Sequence, residues 1–141
     1  GDLAALATLA PEGARVRALA VAGAFHTSYM QPAVEPMRAL AASMEVTDAT
    51  VGVLSNKDGA VITDGREILD RIVNQIANPV RWDLCMQSLA ENGVTGAIEV
   101  APAGTLVGLI KRAVPTIEQC ALKSPAELEA ATAFAATHGG K

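Results

Sequence analysis

Apolar positions along the chain change their spacing several times, and each change indicates a new secondary-structure element. Val16 to Ala22 is almost continuously apolar, which favours a strand covered on both faces. Further along, apolar residues recur at helical spacing on one face of three segments, which predicts three amphipathic helices. These faces carry Val34, Met37, Leu40, Ala41 and Met44 in the first, Ile68, Ile72 and Ile76 in the second, and Trp82, Cys85, Met86 and Leu89 in the third.

Turn-forming residues bound the elements of the first half. An alanine-rich helix is predicted over residues 2–10, where Pro11 and Gly13 end it. Val51–Leu54 and Val61–Thr63 flank an Asp-Gly pair, a combination that favours a tight turn between paired strands. The pattern therefore predicts a β-hairpin near the middle of the chain.

Capping residues mark the helices of the second half. Asp64 precedes the isoleucine-bearing helix and is a preferred N-cap residue type. "GAIEVAPAGTLVGLIKRAV" predicts a buried strand, a turn and a helix, and "TIEQCAL" predicts a last strand. Ser124 and Glu127 have the spacing of a capping box for a terminal helix. Strands alternating with helices predict an α/β fold with a mainly parallel sheet.

Composition limits the function. The chain has 141 residues, half of them apolar, which suffices for one compact core. A net charge of −4 and a low aromatic content argue against a nucleic-acid partner. No uninterrupted apolar run is long enough for a membrane helix, and "GDLAALATLA" lacks the basic segment of a secretion signal. We therefore expect a cytoplasmic protein with no membrane association.

The two cysteines predict neither a disulfide nor a metal site. Cys85 and Cys120 lie far apart, with no CxxC and no histidine at ligand spacing. We expect both to be reduced packing residues and expect no bound metal. A positive mean hydropathy, with many alanines, indicates surfaces that pack against further protein.

The stretch "GAFHT" carries the candidate chemistry. It places His26 in a turn directly after an apolar segment, where α/β enzymes present catalytic groups. Histidine can both accept and return a proton near neutral pH, so His26 is a candidate general base. The residues alone leave a second interpretation open, in which His26 is a hydrogen-bonded structural histidine.

"GAFHT" followed by "SYMQPA" resembles the histidine motif of malonyl-CoA:acyl-carrier-protein transacylases and of the acyltransferase domains of polyketide and fatty-acid synthases. Three further blocks follow in the order of that family: "VGVLSNKDG", "IVNQIANPVRWDLCMQSLAENGV" and "AIEVAPAGTLVGLIKR". Together they cover residues from about 14 to about 123, so that nearly the whole chain resembles the family.

The resemblance implies a two-step acyl transfer in which His26 is the general base. In that family a serine attacks malonyl-CoA, and the histidine serves both half-reactions before the pantetheine thiol of acyl carrier protein takes the malonyl group. Phe25 falls at the position that goes with malonyl rather than methylmalonyl selection. Gln75 matches a glutamine that helps to hold the imidazole by its side chain or its backbone, although it could equally only cap its helix. The resemblance implies no cofactor beyond the substrate and the partner's phosphopantetheine.

The family's nucleophile motif, G-H-S-x-G, is absent from the sequence, as are counterparts of its oxyanion-hole glutamine and carboxylate-binding arginine. The resemblance therefore implies a C-terminal portion that needs an N-terminal half as its partner. Residues 1–22 would end the ferredoxin-like small subdomain, and residues 23–141 would belong to the hydrolase-like large subdomain. The family's G-P-G turn is replaced by "APAG", for which we expect a different turn shape.

Two other functions remain open at this stage. One is an acyl hydrolase or thioesterase, which would need a path for water in place of carrier-protein docking. The other is a non-catalytic domain that binds a carrier protein, with His26 structural. The end of the chain without a linker favours a fatty-acid-synthesis enzyme over a polyketide-synthase domain.

Overall fold

The computed structural model of the chain describes residues 2–17 and 21–139, and within them it contains six α-helices and four strands. The helices are α1 (Asp2–Thr8), α2 (Gln31–Ala42), α3 (Gly65–Gln75), α4 (Trp82–Glu91), α5 (Leu106–Ala113) and α6 (Leu128–His138). The strands are β1 (Val53–Leu54), β2 (Val61–Ile62), β3 (Gly96–Val100) and β4 (Glu118–Leu122). The α/β class predicted from the sequence is confirmed.

The strands form two small sheets. Strands β1 and β2 pair antiparallel, with Val53 opposite Ile62, and form the predicted hairpin. Strands β3 and β4 pair in parallel over five residues, from Gly96 opposite Glu118 to Val100 opposite Leu122. Helix α5 connects β3 to β4, as a parallel pair requires. The parallel sheet is therefore a single β–α–β unit within the described residues.

Apolar side chains are buried at two places. Val34 and Ala41 on α2 pack against Val73 and Ala77 at the C-terminal part of α3 and just beyond it. Around the parallel sheet the buried residues come from α5, the segment before β4, and α6, and they are Ile110, Ile117 and Ala131. The first cluster fixes the end of α3 against α2, and α2 directly follows the "GAFHT" segment.

The cap residues act as their sequence positions predict. The Asp64 carboxylate accepts a hydrogen bond of 2.7 Å from the Glu67 N–H at the start of α3. Gly93 has a φ of 68° after α4, a left-handed conformation that ends a helix. The capping box of Ser124 and Glu127 is present before α6. No helix among residues 2–17 and 21–139 is both long enough and apolar enough to span a membrane.

One predicted strand is not found. Residues 16–17 and 21–22 have no strand conformation, and the middle of the predicted strand, residues 18–20, lies outside the described residues. A strand requires a neighbour that exchanges ladder hydrogen bonds, and no strand among the described residues pairs with this segment. The first helix is also shorter than predicted and ends at Thr8, ahead of Pro11.

Candidate functional site

The candidate site begins with an unusual backbone conformation at His26. This residue has a φ of 62°, in the left-handed region that residues other than glycine seldom adopt. The next residue, Thr27, begins a short 3₁₀ helix at Ser28–Met30, and its hydroxyl accepts a hydrogen bond from the Tyr29 N–H. The Thr27 hydroxyl also donates to the Ala24 carbonyl at 2.7 Å. These contacts close the turn and direct the His26 ring toward α3.

The last residue of α3 and the residue after it supply two hydrogen-bond partners of His26. The backbone N–H of His26 donates to the Ile76 carbonyl at 3.0 Å. The ring Nδ1 lies 2.7 Å from the Gln75 carbonyl oxygen. Carbonyls at the C-terminal end of a helix have no partner within the helix, so they are free to accept from a distant segment. His26 therefore fills the two acceptors at the end of α3.

This arrangement fixes the tautomer of the imidazole. A carbonyl oxygen only accepts hydrogen bonds, so Nδ1 must carry a hydrogen in order to bond to Gln75. In the neutral ring the other nitrogen, Nε2, then has a free lone pair. His26 is half-buried, and its ring is held while Nε2 is left to accept a proton. An imidazole that is held in this way has the geometry that a general base requires.

The structure brings Gln75 to His26 but leaves Phe25 on the surface. The contact from Gln75 is through its backbone carbonyl, while Gln75 also lines a cavity of about 140 Å³ between α3 and the β1–β2 hairpin. Phe25 is next to His26 in sequence, and it is 54% exposed. A Cβ added at Gly23 would lie 3.2 Å from the Phe25 ring, so the ring lies over the backbone at the start of the turn.

Other perturbed groups lie away from His26. Burial raises the pKa of the Cys85 thiol, so Cys85 is an unreactive packing residue. Backbone N–H groups of Val107 and Leu106, at the start of α5, hold the pKa of Glu99 below its ordinary value. Across residues 2–17 and 21–139, no three His, Cys, Asp or Glu side chains converge in a group that could hold a metal ion.

Sequence reasoning missed Ile76 and the role of Thr27. The Ile76 contact is made by a backbone carbonyl, which every residue type has, so no sequence pattern could single it out. Thr27 could have been found, because threonine before a helical turn is a common N-cap. The positive φ of His26 leaves no clear mark in the sequence either, since positions of this kind are usually glycine.

The chain is similar to known proteins over most of its length. No family model matches it. The malonyl CoA-acyl carrier protein transacylase of Mycobacterium tuberculosis is 48% identical over 132 residues, which are 92% of this chain and 44% of that protein. The enzyme of the same name from Bacillus subtilis is 34% identical over 125 residues, which are 87% of this chain and 39% of that protein.

Solved structures of malonyl-CoA:ACP transacylases also match the chain. A crystal structure of MCAT from Mycobacterium tuberculosis matches with a TM-score of 0.81 and 47% identity, over 91% of this chain and 42% of that one. A malonyl-CoA:ACP transacylase from Synechocystis matches with a TM-score of 0.77 and 30% identity, over 91% of this chain and 43% of that one. The chain spans less than half the length of the curated relatives it matches. Over the part that they share, the chain is a homologue of the malonyl CoA-acyl carrier protein transacylases.

Proposed function

We propose that the protein containing this chain transfers a malonyl group from malonyl-CoA to the pantetheine thiol of acyl carrier protein, in fatty-acid synthesis. The observation that carries the proposal is the hydrogen bond of 2.7 Å between His26 Nδ1 and the Gln75 carbonyl, which leaves Nε2 as a base. Among similar structures, a malonyl-transacylase was solved in complex with a type II polyketide acyl-carrier protein. That complex supports a carrier protein as the partner here.

In the first half-reaction, a serine outside this chain attacks the thioester carbon of malonyl-CoA. His26 Nε2 takes the serine proton as the new C–O bond forms, and the C–S bond then breaks. The proton passes from Nε2 to the departing CoA sulfur, and malonyl-serine remains. The positive charge on the ring between these steps lies at the C-terminal end of α3, where a helix favours a cation.

The second half-reaction uses the same base. His26 Nε2 takes the proton from the pantetheine thiol of the carrier protein while the sulfur attacks the malonyl-serine. The C–O bond to serine breaks, and the proton returns to the serine oxygen. Because Nδ1 stays bonded to the Gln75 carbonyl throughout, the ring keeps its orientation in both steps.

We assign further roles within this proposal. Phe25 limits the room beside the α-carbon of the acyl group, and its exposure at the position before His26 supports this role. Gln75 is the residue that orients the ring of His26. Residues 1–22 end the small subdomain and residues 23–141 belong to the large one, while the nucleophile comes from an N-terminal half. We place the protein in the cytoplasm, where this chemistry needs no cofactor besides its substrates.

Mass spectrometry of the intact protein, with all of the sequence that flanks this chain, tests the proposed function. After incubation with malonyl-CoA we expect a malonyl adduct that is lost when holo-acyl carrier protein is added, with malonyl-carrier protein as the product. Release of free malonate with no transfer would identify a hydrolase instead. Binding of carrier protein without any adduct would identify a non-catalytic domain.

A further inference from the structure

The tip of the β1–β2 hairpin, residues 55–59, is bonded to α3 through Arg71. The guanidinium of Arg71 donates to Ser55 Oγ at 3.0 Å and to Asp58 Oδ1 at 2.7 Å. It also donates to Glu67 Oε1 at 2.9 and 2.8 Å from two nitrogens. The Arg71 side chain is only 18% exposed, which separates it from ordinary surface ion pairs.

The other side of the hairpin tip is bonded to α4. The Ser88 hydroxyl donates to the Gly59 carbonyl at 2.6 Å, and the Cys85 thiol donates to the Ser55 carbonyl at 3.4 Å. Gly59 has a φ of 75°, and a Cβ there would lie 2.7 Å from the Leu84 carbonyl oxygen. Only glycine fits between the hairpin tip and α4, so the two pack directly against each other.

The hairpin tip is therefore bonded to α3 and to α4, the helices before and after the connecting segment at residues 76–81. That segment follows Gln75 and ends at Arg81, whose N–H donates to the Asn56 carbonyl at 2.7 Å. Gln75 and the first residue of this segment, Ile76, carry the two carbonyls that bond to His26. Arg71 lies one helical turn before Gln75, so its bonds fix the part of α3 that presents these acceptors.

We propose that Arg71 is a positioning residue for His26, acting through the hairpin tip and the end of α3. The inference rests on the proposed function, because it gives Arg71 a part in orienting the base of that reaction. Removing the guanidinium would leave Ser55 and Asp58 without their common partner and free the hairpin tip from α3. The carbonyls of Gln75 and Ile76 would then hold the imidazole less firmly.

The test compares Arg71→Met with Arg38→Met in the intact protein. Arg38 is a matched control, since it pairs with Glu35 at 3.3 Å on the exposed face of α2, away from the hairpin tip. Nitrogen-15 spectra of the histidine rings report the tautomer of His26 and the solvent exchange of its Nδ1–H, with His26→Asn assigning the signal. We expect Nδ1–H exchange at least about tenfold faster in Arg71→Met and unchanged in Arg38→Met.

Turnover adds a second readout. We expect kcat for malonyl transfer to fall about tenfold in Arg71→Met with KM for malonyl-CoA unchanged, because misplacing a catalytic group affects the chemical steps. If Arg71→Met fails to fold, Ser55→Ala and Asp58→Ala each remove one hydrogen bond between Arg71 and the hairpin tip and should give smaller changes of the same kind. A folded variant whose His26 tautomer and exchange match the wild type overturns the inference. The NMR result holds even if the protein transfers no malonyl group, so the two proposals can fail separately.

Discussion

His26 combines a strained backbone with two hydrogen bonds that keep it strained. A left-handed conformation at a residue other than glycine costs of order 1–3 kcal/mol and persists only where the surroundings impose it. Here the Ile76 carbonyl bonds to the backbone N–H of His26, and the Gln75 carbonyl bonds to its ring. Strain held by specific contacts is common at functional sites, and it supports the proposal that His26 does more than cap a turn.

Phe25 gives a prediction about substrate choice. Under the proposed role of Phe25, Phe25→Ala would open room for a branch at the α-carbon of the acyl group. We expect the ratio of kcat/KM for malonyl-CoA to kcat/KM for methylmalonyl-CoA to fall. The fall should correspond to roughly 1 to 3 kcal/mol of lost discrimination. Tyr29→Ala is the matched control, because Tyr29 is an exposed aromatic in the same turn region. An unchanged ratio in Phe25→Ala would remove the role assigned to this ring.

Among the elements, the end of α6 packs directly on the start of β3. His138 lies over Gly96, its Nδ1 is 3.1 Å from the Thr95 hydroxyl, and its ring stacks on Phe134 with centroids 4.3 Å apart. A Cβ at position 96 would fall within 2.7 Å of the His138 Cβ and overlap its ring. This glycine lets the terminal helix approach the parallel sheet.

Two glycine substitutions should therefore have opposite effects on the free energy of unfolding. Gly96→Ala should destabilise the protein by about 1–3 kcal/mol, the range for overpacking a filled site. Gly108→Ala should stabilise it by about 0.5–1 kcal/mol, because Gly108 lies within α5 with open space around its Cβ position. Chemical denaturation of the intact protein measures both. Equal effects of the two substitutions would contradict the packing of α6 described above.

The turn between β3 and α5 predicts an acid-sensitive contribution to stability. The Glu99 carboxylate accepts hydrogen bonds from the N–H groups of Gly104, Leu106 and Val107 at 2.8 to 3.0 Å. These bonds lower the pKa of Glu99 below its ordinary 4.5, so the folded state binds a proton less readily than the unfolded one. The stabilisation is present above the unfolded-state pKa and is lost as the pH falls through the lower, folded-state value.

Glu99→Gln should accordingly reduce the loss of stability on acidification below about pH 4.5, the ordinary value for this group. Melting temperatures from pH 7 to pH 3 would show the change as a shallower acid limb. Glu45→Gln, in the exposed loop after α2, is the control. Parallel curves for Glu99→Gln and the wild type would show that the carboxylate does not contribute in this way.

The elements that could be predicted from the sequence are those with strong local chemistry. The Asp-Gly hairpin, the Asp64 cap and helix α3 itself depend on residues close together in the chain. The predicted isoleucine face is not the buried face of α3, because Val73 is buried while Ile72 is 46% exposed. The segment at 16–22 could not be assigned in this way, because a strand exists only through a partner elsewhere. His26 was identified by its motif, while its two acceptors are backbone carbonyls that no sequence pattern marks. In the "APAG" turn, Gly104 has a positive φ of 124°, and neither alanine has a positive φ.

At the scale of the molecule, many large apolar side chains are exposed among the described residues. Strands β3 and β4 pair only with each other among the described residues, so each presents an open edge. Large side chains on β3 and around the hairpin are exposed, and they include Val51, Val53, Val61, Ile98 and Val100. Exposed apolar patches of this kind indicate surfaces that other protein covers. The relatives are more than twice as long as the matched segment, which agrees with this view.

The 141-residue chain expressed alone should therefore bind a hydrophobic dye or self-associate, while the intact protein should do neither. It should also show no transacylase activity, for want of a nucleophile. Light scattering and dye fluorescence on both polypeptides measure the difference. A monomeric chain that unfolds cooperatively and binds no dye would show that these apolar surfaces need no further protein.

The central claim, that His26 Nε2 is the base in malonyl transfer, is tested most directly by the transfer rate of His26→Asn in the intact protein. Asparagine tolerates a positive φ and can donate to the Gln75 carbonyl, so this change removes the base and keeps the turn. His138→Asn, at the other histidine of the chain, is the control. We predict a loss of about 10² to 10⁴ in transfer rate for His26→Asn and none for His138→Asn. Transfer at the wild-type rate in His26→Asn would contradict the mechanism.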